Sequence, residues 1–201
     1  MTALRLKTAA AIYGALAALA VGVGFLRENV DIFHHPSGVM EHYFSWPASV
    51  LMGAALGMLF GLLVAYATRY SVYRFSWAKT LHLEFRGIFG PISSADIFGY
   101  AALSAIAEEL FFRGALQPII GIAVTSLIFG AMHIAPGKRF LPWPIQALVM
   151  GVALGGLFWL TGNLAAPVTA HFTINYQNLH FINRYNPAPE LPRSLLHRQR
   201  S

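Results

Sequence analysis

The sequence contains no cysteine and very little charge. The absence of cysteine among its 201 residues excludes disulfide bonds, thiolate metal ligands and a cysteine nucleophile. Only 11% of the residues are charged, whereas soluble domains carry about 25%. With 56% hydrophobic residues and a mean hydropathy of +0.55, the composition is that of a membrane protein.

The few charges are mostly basic. The net charge of +6 arises from 14 Lys and Arg against 8 Asp and Glu. In a soluble protein this excess would suggest nucleic acid as a partner. Here the basic residues lie between apolar runs, which is typical of membrane orientation signals. We therefore expect this protein to lie in the lipid bilayer and to bind no nucleic acid.

The apolar runs predict an all-α fold, a polytopic membrane helix bundle with about six transmembrane helices. Thr8 to Leu26 and Ala48 to Thr68 are each long enough to span a bilayer. The first run exceeds the apolar core of a signal peptide, which favours a retained span, although Ala18-Leu19-Ala20 leaves cleavage open. Between the second run and residue 93, basic residues mixed with Tyr, Phe and Trp indicate an amphipathic interfacial connector.

Local signals place the third helix and its end. Ser93 followed by Asp96 resembles a capping box and predicts a helix that starts near Ser94 and continues to about Gln117. Pro118 and Gly121 then predict a tight turn.

Three more helices are expected downstream. A short apolar helix leads to His133, and the fifth span covers Pro144 to Thr161. Gly162-Asn163 turns the chain, and the sixth helix begins near Pro167. We expect one integral membrane domain over residues 1–201. Its parts are 1–93 with two spans and the connector, a core over 94–182, and a basic tail over 183–201.

The basic residues also predict the orientation. If the N-terminus is inside and six spans alternate, the inner segments hold 12 of the 14 Lys and Arg. They are Arg5, Lys7, Arg69, Arg74, Lys79, Arg86, Lys138, Arg139, Arg184, Arg193, Arg198 and Arg200. This asymmetry predicts a multi-pass protein of a bacterial inner (plasma) membrane with both termini in the cytoplasm.

Three ionisable side chains lie inside the predicted third helix. Glu109 and Arg113 are four residues apart, in the order that favours an ion pair on one helix face. Glu108 points roughly 100° away from Glu109 and lacks that partner. A charge at membrane depth costs several kcal/mol unless it is paired or faces a wet cavity. The segment is therefore either a structural ion pair or part of a functional site.

Two further helices carry pairs spaced four residues apart, Phe129/His133 and His171/Asn175. At about 1.5 Å per residue, a turn at Gly121 brings Glu108 and His133 to overlapping depths, together with the pair on the sixth helix. A turn at Gly114 would instead separate Glu108 from His133 by about 15 Å. The first arrangement predicts one buried pocket that holds a glutamate, two histidines and an asparagine.

Such a pocket can activate water in two ways. The glutamate and histidines could ligate zinc, which lowers the pKa of bound water. Alternatively, the desolvated carboxylate acts as general base, while a histidine and the asparagine donate hydrogen bonds to an oxyanion. The asparagine and the absence of a His-Glu-x-x-His motif favour the second scheme. We therefore expect no metal and no cofactor, with zinc as the alternative.

Together these residues resemble the CPBP family of intramembrane proteases, which includes the CAAX-processing endopeptidases and bacteriocin self-immunity relatives. The family motifs are Glu-Glu-x-x-x-Arg, Phe-x-x-x-His and His-x-x-x-Asn. They stand here, in that order, as Glu108-Glu109-Leu-Phe-Phe-Arg113, Phe129-Gly-Ala-Met-His133 and His171-Phe-Thr-Ile-Asn175. The resemblance covers about residues 94 to 180.

The resemblance implies a glutamic intramembrane endopeptidase whose substrate is a membrane-associated protein or peptide, such as a C-terminal processing or sorting segment. It implies Glu108 as general base, His133 as the group that polarises water, His171 and Asn175 as the oxyanion hole, Glu109 and Arg113 as a supporting ion pair, and Phe129 as packing. The alternative is a non-catalytic scaffold, immunity or peptide-binding protein that uses the same pocket.

Overall fold

A computed structural model describes residues 2–28 and 31–191 of the chain, with side chains from residue 6 onward. Arg193, Arg198 and Arg200 of the predicted basic tail lie outside the described residues. Over the described ranges the fold is helical and contains no β-strand, as expected. The main helices are α1 Thr2–Leu26, α2 Trp46–Arg74, α3 Ser76–Phe89, α4 Ser94–Glu109, α5 Gln117–Met132, α6 Pro142–Thr161 and α7 Ala165–Arg184.

Four stretches of the described chain are long and apolar enough to cross a membrane: Leu6–Leu26, Trp46–Arg74, Ser94–Met132 and Lys138–Thr161. The third of these contains two of the predicted spans, α4 and α5. Helix α7, the predicted sixth span, is not among the four. It carries polar residues at several positions, including His171 and Asn175.

The chain folds back on itself at Gly121. This residue adopts φ 77° and ψ 168°, a conformation that glycine tolerates and that interrupts the helix. The Phe112 and Phe129 rings, 17 residues apart in the sequence, meet edge to face with centroids 4.9 Å apart. A straight helix would hold them about 25 Å apart. The predicted turn thus lies at Gly121, while Pro118 sits in the first turn of α5, where its missing N–H is tolerated.

The start of α4 follows its capping signal. The Ser93 Oγ accepts a hydrogen bond from the backbone N–H of Asp96 at 3.1 Å and donates one to the Asp96 carboxylate at 2.8 Å. Helix α3 continues to Phe89 and ends at Gly90, whose φ is 62°. Helix α3 is amphipathic, as the connector pattern predicted.

Between α4 and α5 the helix widens into a π-helical segment, Leu110–Leu116. Such segments are rare and are frequently found at functional sites. The Arg27 guanidinium, just after α1, donates hydrogen bonds to the carbonyls of Gly114 at 3.3 Å and Ala115 at 3.0 Å. Gly114 is packed so closely that a Cβ there would lie 2.2 Å from the Ile32 carbonyl oxygen. The wide turn is therefore held from outside by the segment that follows α1.

Helices α2 and α7 make the most extensive contact in the bundle. Residues spaced by four on α2 are all small and buried: Gly53, Gly57, Gly61 and Ala65. A Cβ added at Gly57 would lie 2.1 Å from the Ala166 carbonyl oxygen of α7. Such stripes allow close approach of helix backbones in membranes. The stripe fixes α7, which carries His171 and Asn175.

Helix α1 runs parallel to α4 and the π-helical segment. Near their starts, Leu6 lies against Gly99, and near their ends Ala20 packs with Ala115. Most of the remaining surface of α1 is exposed. Because parallel neighbours cross a bilayer in the same direction, this packing agrees with the predicted direction of the first and third spans.

Basic residues of several elements meet at one end of the bundle. Arg139, in the loop before α6, pairs with Glu84 of α3 at 2.7 Å. Arg86 of α3 donates to the Asn183 carbonyl at the end of α7 at 2.8 Å, and Lys79 pairs with Glu190 at 2.7 Å. These residues were predicted on one side of the membrane, and the fold places them at one end.

Candidate active site

The two adjacent glutamates have different surroundings. Glu109 is fully buried, and both of its carboxylate oxygens have partners. The Arg113 Nε donates to Oε2 at 3.2 Å, which is the predicted ion pair. The His171 Nδ1–H donates to Oε1 at 2.7 Å. Glu109 therefore links α4 to α7, and neither of its carboxylate oxygens is free to act as a base.

Arg113 is the centre of a buried polar chain. Its Nη1 donates to the Gln117 Oε1 at 3.3 Å, and the Gln117 Nε2 donates to the Gly155 carbonyl of α6 at 3.0 Å. The guanidinium also lies over the Phe129 ring, 5.5 Å from its centroid. A Cβ at position 155 would lie 2.7 Å from the Gln117 Oε1, so a larger residue than glycine would displace the end of this side chain. The ion pair of Glu109 and Arg113 thus anchors α4 and the π-helical segment to α5 and α6. Phe129 packs against the Arg113 guanidinium, as predicted.

Glu108 faces a cavity instead. The cavity has a volume of about 420 Å³ and opens between α1, α4 with its π-helical extension, and the α5–α6 connection. Its lining is mostly apolar, with polar groups from Glu108, Tyr13 and His133. The Tyr13 phenol lies beside the Glu108 carboxyl on the cavity wall. The Glu108 Oε2 is buried and has no hydrogen-bond partner within the described residues. The Glu108 side chain as a whole is partly exposed and lines the cavity, so its carboxyl group is available to a water or a substrate there.

His133 lies on the wall of the same cavity. Its Nδ1 is 2.7 Å from the Phe129 carbonyl oxygen, which can only accept, so Nδ1 carries a proton. In the neutral ring Nε2 is then an acceptor. The ring is held between Phe129 at 4.5 Å and Trp143 at 5.2 Å, measured between centroids. The hairpin at Gly121 brings Glu108 and His133 to this one cavity, as the depth argument predicted.

Two polar residues of α7, His171 and Asn175, lie against α4. His171 is nearly buried and bonds Glu109, and its ring centroid is 6.3 Å from that of Phe129. The Asn175 Nδ2 donates to the Ser104 Oγ at 2.9 Å. Neither residue is among those that line the described cavity. The structure thus places Glu108 and His133 on the cavity, and His171 and Asn175 outside it, on the α7 side of α4.

Sequence reasoning missed three polar members of the site. Ser104 and Gln117 had a usable signal, because each lies four residues from a site residue on the same helix, Glu108 and Arg113 respectively. Tyr13 had only its phenol group within an otherwise apolar run, and its role depends on how α1 packs.

The donor set does not fit a metal site. Within residues 2–28 and 31–191, no three His, Asp or Glu side chains are grouped so that they could hold a metal ion. Glu108 and His133 share the cavity, but a zinc site with protein ligands requires at least three.

Comparison with known proteins finds a family whose model matches the segment that carries this site. Residues 91–177 match the family model described as type II CAAX prenyl endopeptidase, Rce1-like. This match confirms the resemblance that the three motifs predicted. All of the motif residues from Glu108 to Asn175 lie inside the matched segment, whereas α1 and α2 lie before it.

A relative agrees with this segment in length. The protein YpbD of Bacillus subtilis (strain 168), described as uncharacterized, is 41% identical over 88 residues, which are 44% of this chain and 46% of the relative. The chain thus spans about half the length of the curated relative that it matches. No solved structure matches the chain. The matched family is one of proteases, and the apolar helices make the chain an integral multi-pass membrane protein.

Proposed function

We propose that this protein is an intramembrane endopeptidase in which Glu108 activates the water that hydrolyses a peptide bond. One observation carries the proposal. Glu108 lines a cavity that it shares with His133, and its Oε2 has no hydrogen-bond partner within the described residues, while both oxygens of Glu109 are engaged. An unpaired acid inside a membrane bundle is costly, and a catalytic base explains its presence.

The first step uses the cavity side of the site. A water between Glu108 and His133 donates one hydrogen to the Glu108 carboxylate and the other to the neutral His133 Nε2. Glu108 takes the first proton as the water oxygen attacks the substrate carbonyl carbon, which forms a tetrahedral intermediate. Glu108 then returns the proton to the leaving amine nitrogen as the C–N bond breaks. The base is thus restored at the end of the cycle.

The second part of the mechanism uses α7. The intermediate carries an oxyanion that needs hydrogen-bond donors. With its Nδ1–H bonded to Glu109, His171 offers an Nε2–H only as the imidazolium, which the Glu109 carboxylate stabilises. The Asn175 amide has a second hydrogen beside the one donated to Ser104. This assignment requires the substrate to lie across α4, between the cavity and α7.

The mechanism contains no metal, because the residues at the cavity do not form a zinc ligand set. The apolar lining, with Leu16, Phe112 and Met132, favours a substrate with apolar side chains near the cleaved bond. A membrane-associated C-terminal processing or sorting segment has this character. We place the protein in a bacterial inner membrane with both termini in the cytoplasm, from the distribution of Lys and Arg.

Proteomics of peptide termini tests the proposal. Cells that express the wild-type chain are compared with cells that express Glu108→Gln, which keeps the side-chain size but removes the base. Glu28→Gln, at an exposed position after α1, is the matched control. We expect a set of new termini in the wild-type and Glu28→Gln cells that is absent from Glu108→Gln cells. Identical termini in all three would overturn the endopeptidase and leave the scaffold or peptide-binding alternative.

A further inference from the structure

Tyr13 is a polar contact to Glu108 from outside the matched segment. It belongs to α1, whereas the family match begins at residue 91. Tyr13 and Glu108 both line the cavity, and the Tyr13 phenol lies beside the Glu108 carboxyl.

Packing alone does not explain a tyrosine here. The other residues that α1 contributes to the cavity wall are Ile12, Ala15, Leu16 and Leu19, all apolar. The Tyr13 hydroxyl is thus the only polar side-chain group on this wall. Phenylalanine would fill the same space without bringing a hydroxyl into an apolar region, where it costs free energy unless it is bonded. The hydroxyl is therefore explained by the carboxyl group that it contacts.

We infer that Tyr13 is a positioning residue for Glu108: its hydroxyl donates a hydrogen bond to the carboxyl group and holds it at the cavity beside His133. A carboxylate without this bond rotates about its terminal torsion, which is broad for glutamate. The bond selects one rotation of the carboxylate toward the attacking water. The inference rests on the proposed function and assigns α1 a part in it.

The docking of α1 sets this bond. Below Tyr13, Leu6 lies against Gly99, and above it Ala20 packs with Ala115. Arg27 closes the contact by donating to the Ala115 carbonyl at 3.0 Å. Tyr13 and Glu108 lie between these contacts along two parallel helices. Loss of α1 packing would therefore release the base while the ion pair of Glu109 and Arg113 stays intact.

Infrared spectroscopy tests the contact independently of catalysis. The carboxyl band of Glu108 in the purified full chain is identified by its loss in Glu108→Gln. We expect Tyr13→Phe to shift this band, because a hydrogen bond to one oxygen changes the carboxyl stretch. Tyr66→Phe, at an exposed position on α2, is the matched control and should leave the band in place. An unshifted band in Tyr13→Phe would overturn the inference, whatever the protein's activity.

Kinetics then test the role. On a substrate found through the terminus comparison, Tyr13→Phe should lower kcat roughly ten- to hundredfold with KM unchanged, as for loss of a hydrogen bond to a charged group. It should also move the limb of the pH–rate profile that reports the base. A uniform loss at all pH values, or wild-type kcat, contradicts positioning. If Glu108→Gln keeps full activity, the proposed function fails, and the band shift still decides whether Tyr13 binds Glu108.

Discussion

His171 bonds Glu109 and not the neighbouring Glu108. The distance from its Nδ1 to the Glu109 Oε1 is 2.7 Å, and the opposite oxygen of Glu109 receives the Arg113 Nε at 3.2 Å. Two adjacent carboxylates are thereby separated in role. One connects helices, and the other faces the cavity with an oxygen free of partners.

This separation predicts that replacing each of the two glutamates by glutamine has a different effect on stability. Glu109→Gln leaves Arg113 as a buried cation without its counter-charge, a change that typically costs roughly 3–5 kcal/mol. Glu108→Gln removes an acid without an ionic partner and should leave stability unchanged or raise it. Thermal unfolding of both variants in the same detergent checks the difference. Equal unfolding midpoints would show that the Glu109 network does not stabilise the fold.

Neighbouring glycines on α6 provide a second test of the network. A Cβ at Gly155 would lie 2.7 Å from the Gln117 Oε1 and 3.1 Å from the Arg113 Nη1, so Gly155→Ala should displace both groups. We expect a destabilisation of about 1–3 kcal/mol, typical of overpacking. At Gly156 nothing lies within 4 Å, so Gly156→Ala should be neutral or stabilising. Unfolding in detergent distinguishes the two, and a tolerated Gly155→Ala would contradict the packing described.

The absence of cysteine allows a direct test of topology. Single substitutions Glu28→Cys and Lys138→Cys place thiols at exposed positions near opposite ends of the bundle. With the N-terminus in the cytoplasm, a membrane-impermeant maleimide added to intact cells should label position 28 only. Permeabilised cells should show labelling at both positions. Labelling of position 138 in intact cells would reverse the orientation.

Metal removal separates the two mechanisms for activating water. The described residues offer no group of three His, Asp or Glu ligands. Cleavage by the purified protein should therefore persist after dialysis against a chelator, with a rate equal to that of the untreated protein. Loss of cleavage in chelator, restored by Zn²⁺, would establish the zinc enzyme instead.

Short-range patterns allowed much of the site to be predicted. The cap of Ser93 with Asp96, the turn at Gly121 and the ion pair of Glu109 with Arg113 each depend on residues within four positions or on one glycine conformation. The sequence therefore predicted the hairpin that places Glu108 and His133 at the same depth. The catalytic roles of these residues remain predictions.

Long-range contacts were beyond the sequence. The contact between Tyr13 and Glu108 joins positions 95 residues apart and depends on the packing of α1. Likewise, the hydrogen bond from Asn175 to Ser104 depends on the closeness of α7 to α4. The π-helical turn Leu110–Leu116 has no composition that distinguishes it from an ordinary helix. Its stabilising donor, Arg27, lies 88 residues before Ala115, whose carbonyl accepts its hydrogen bond.

Over Leu6–Leu26, helix α1 touches the bundle along one narrow face and exposes most of its other side chains. A helix held in this way adjusts its tilt to the thickness of the surrounding hydrocarbon. Its tilt would alter the distance between Tyr13 and Glu108, while the buried network around Glu109 would not change. Acyl-chain length would then act on the base through one helix, so that the lipid composition of the host membrane tunes turnover.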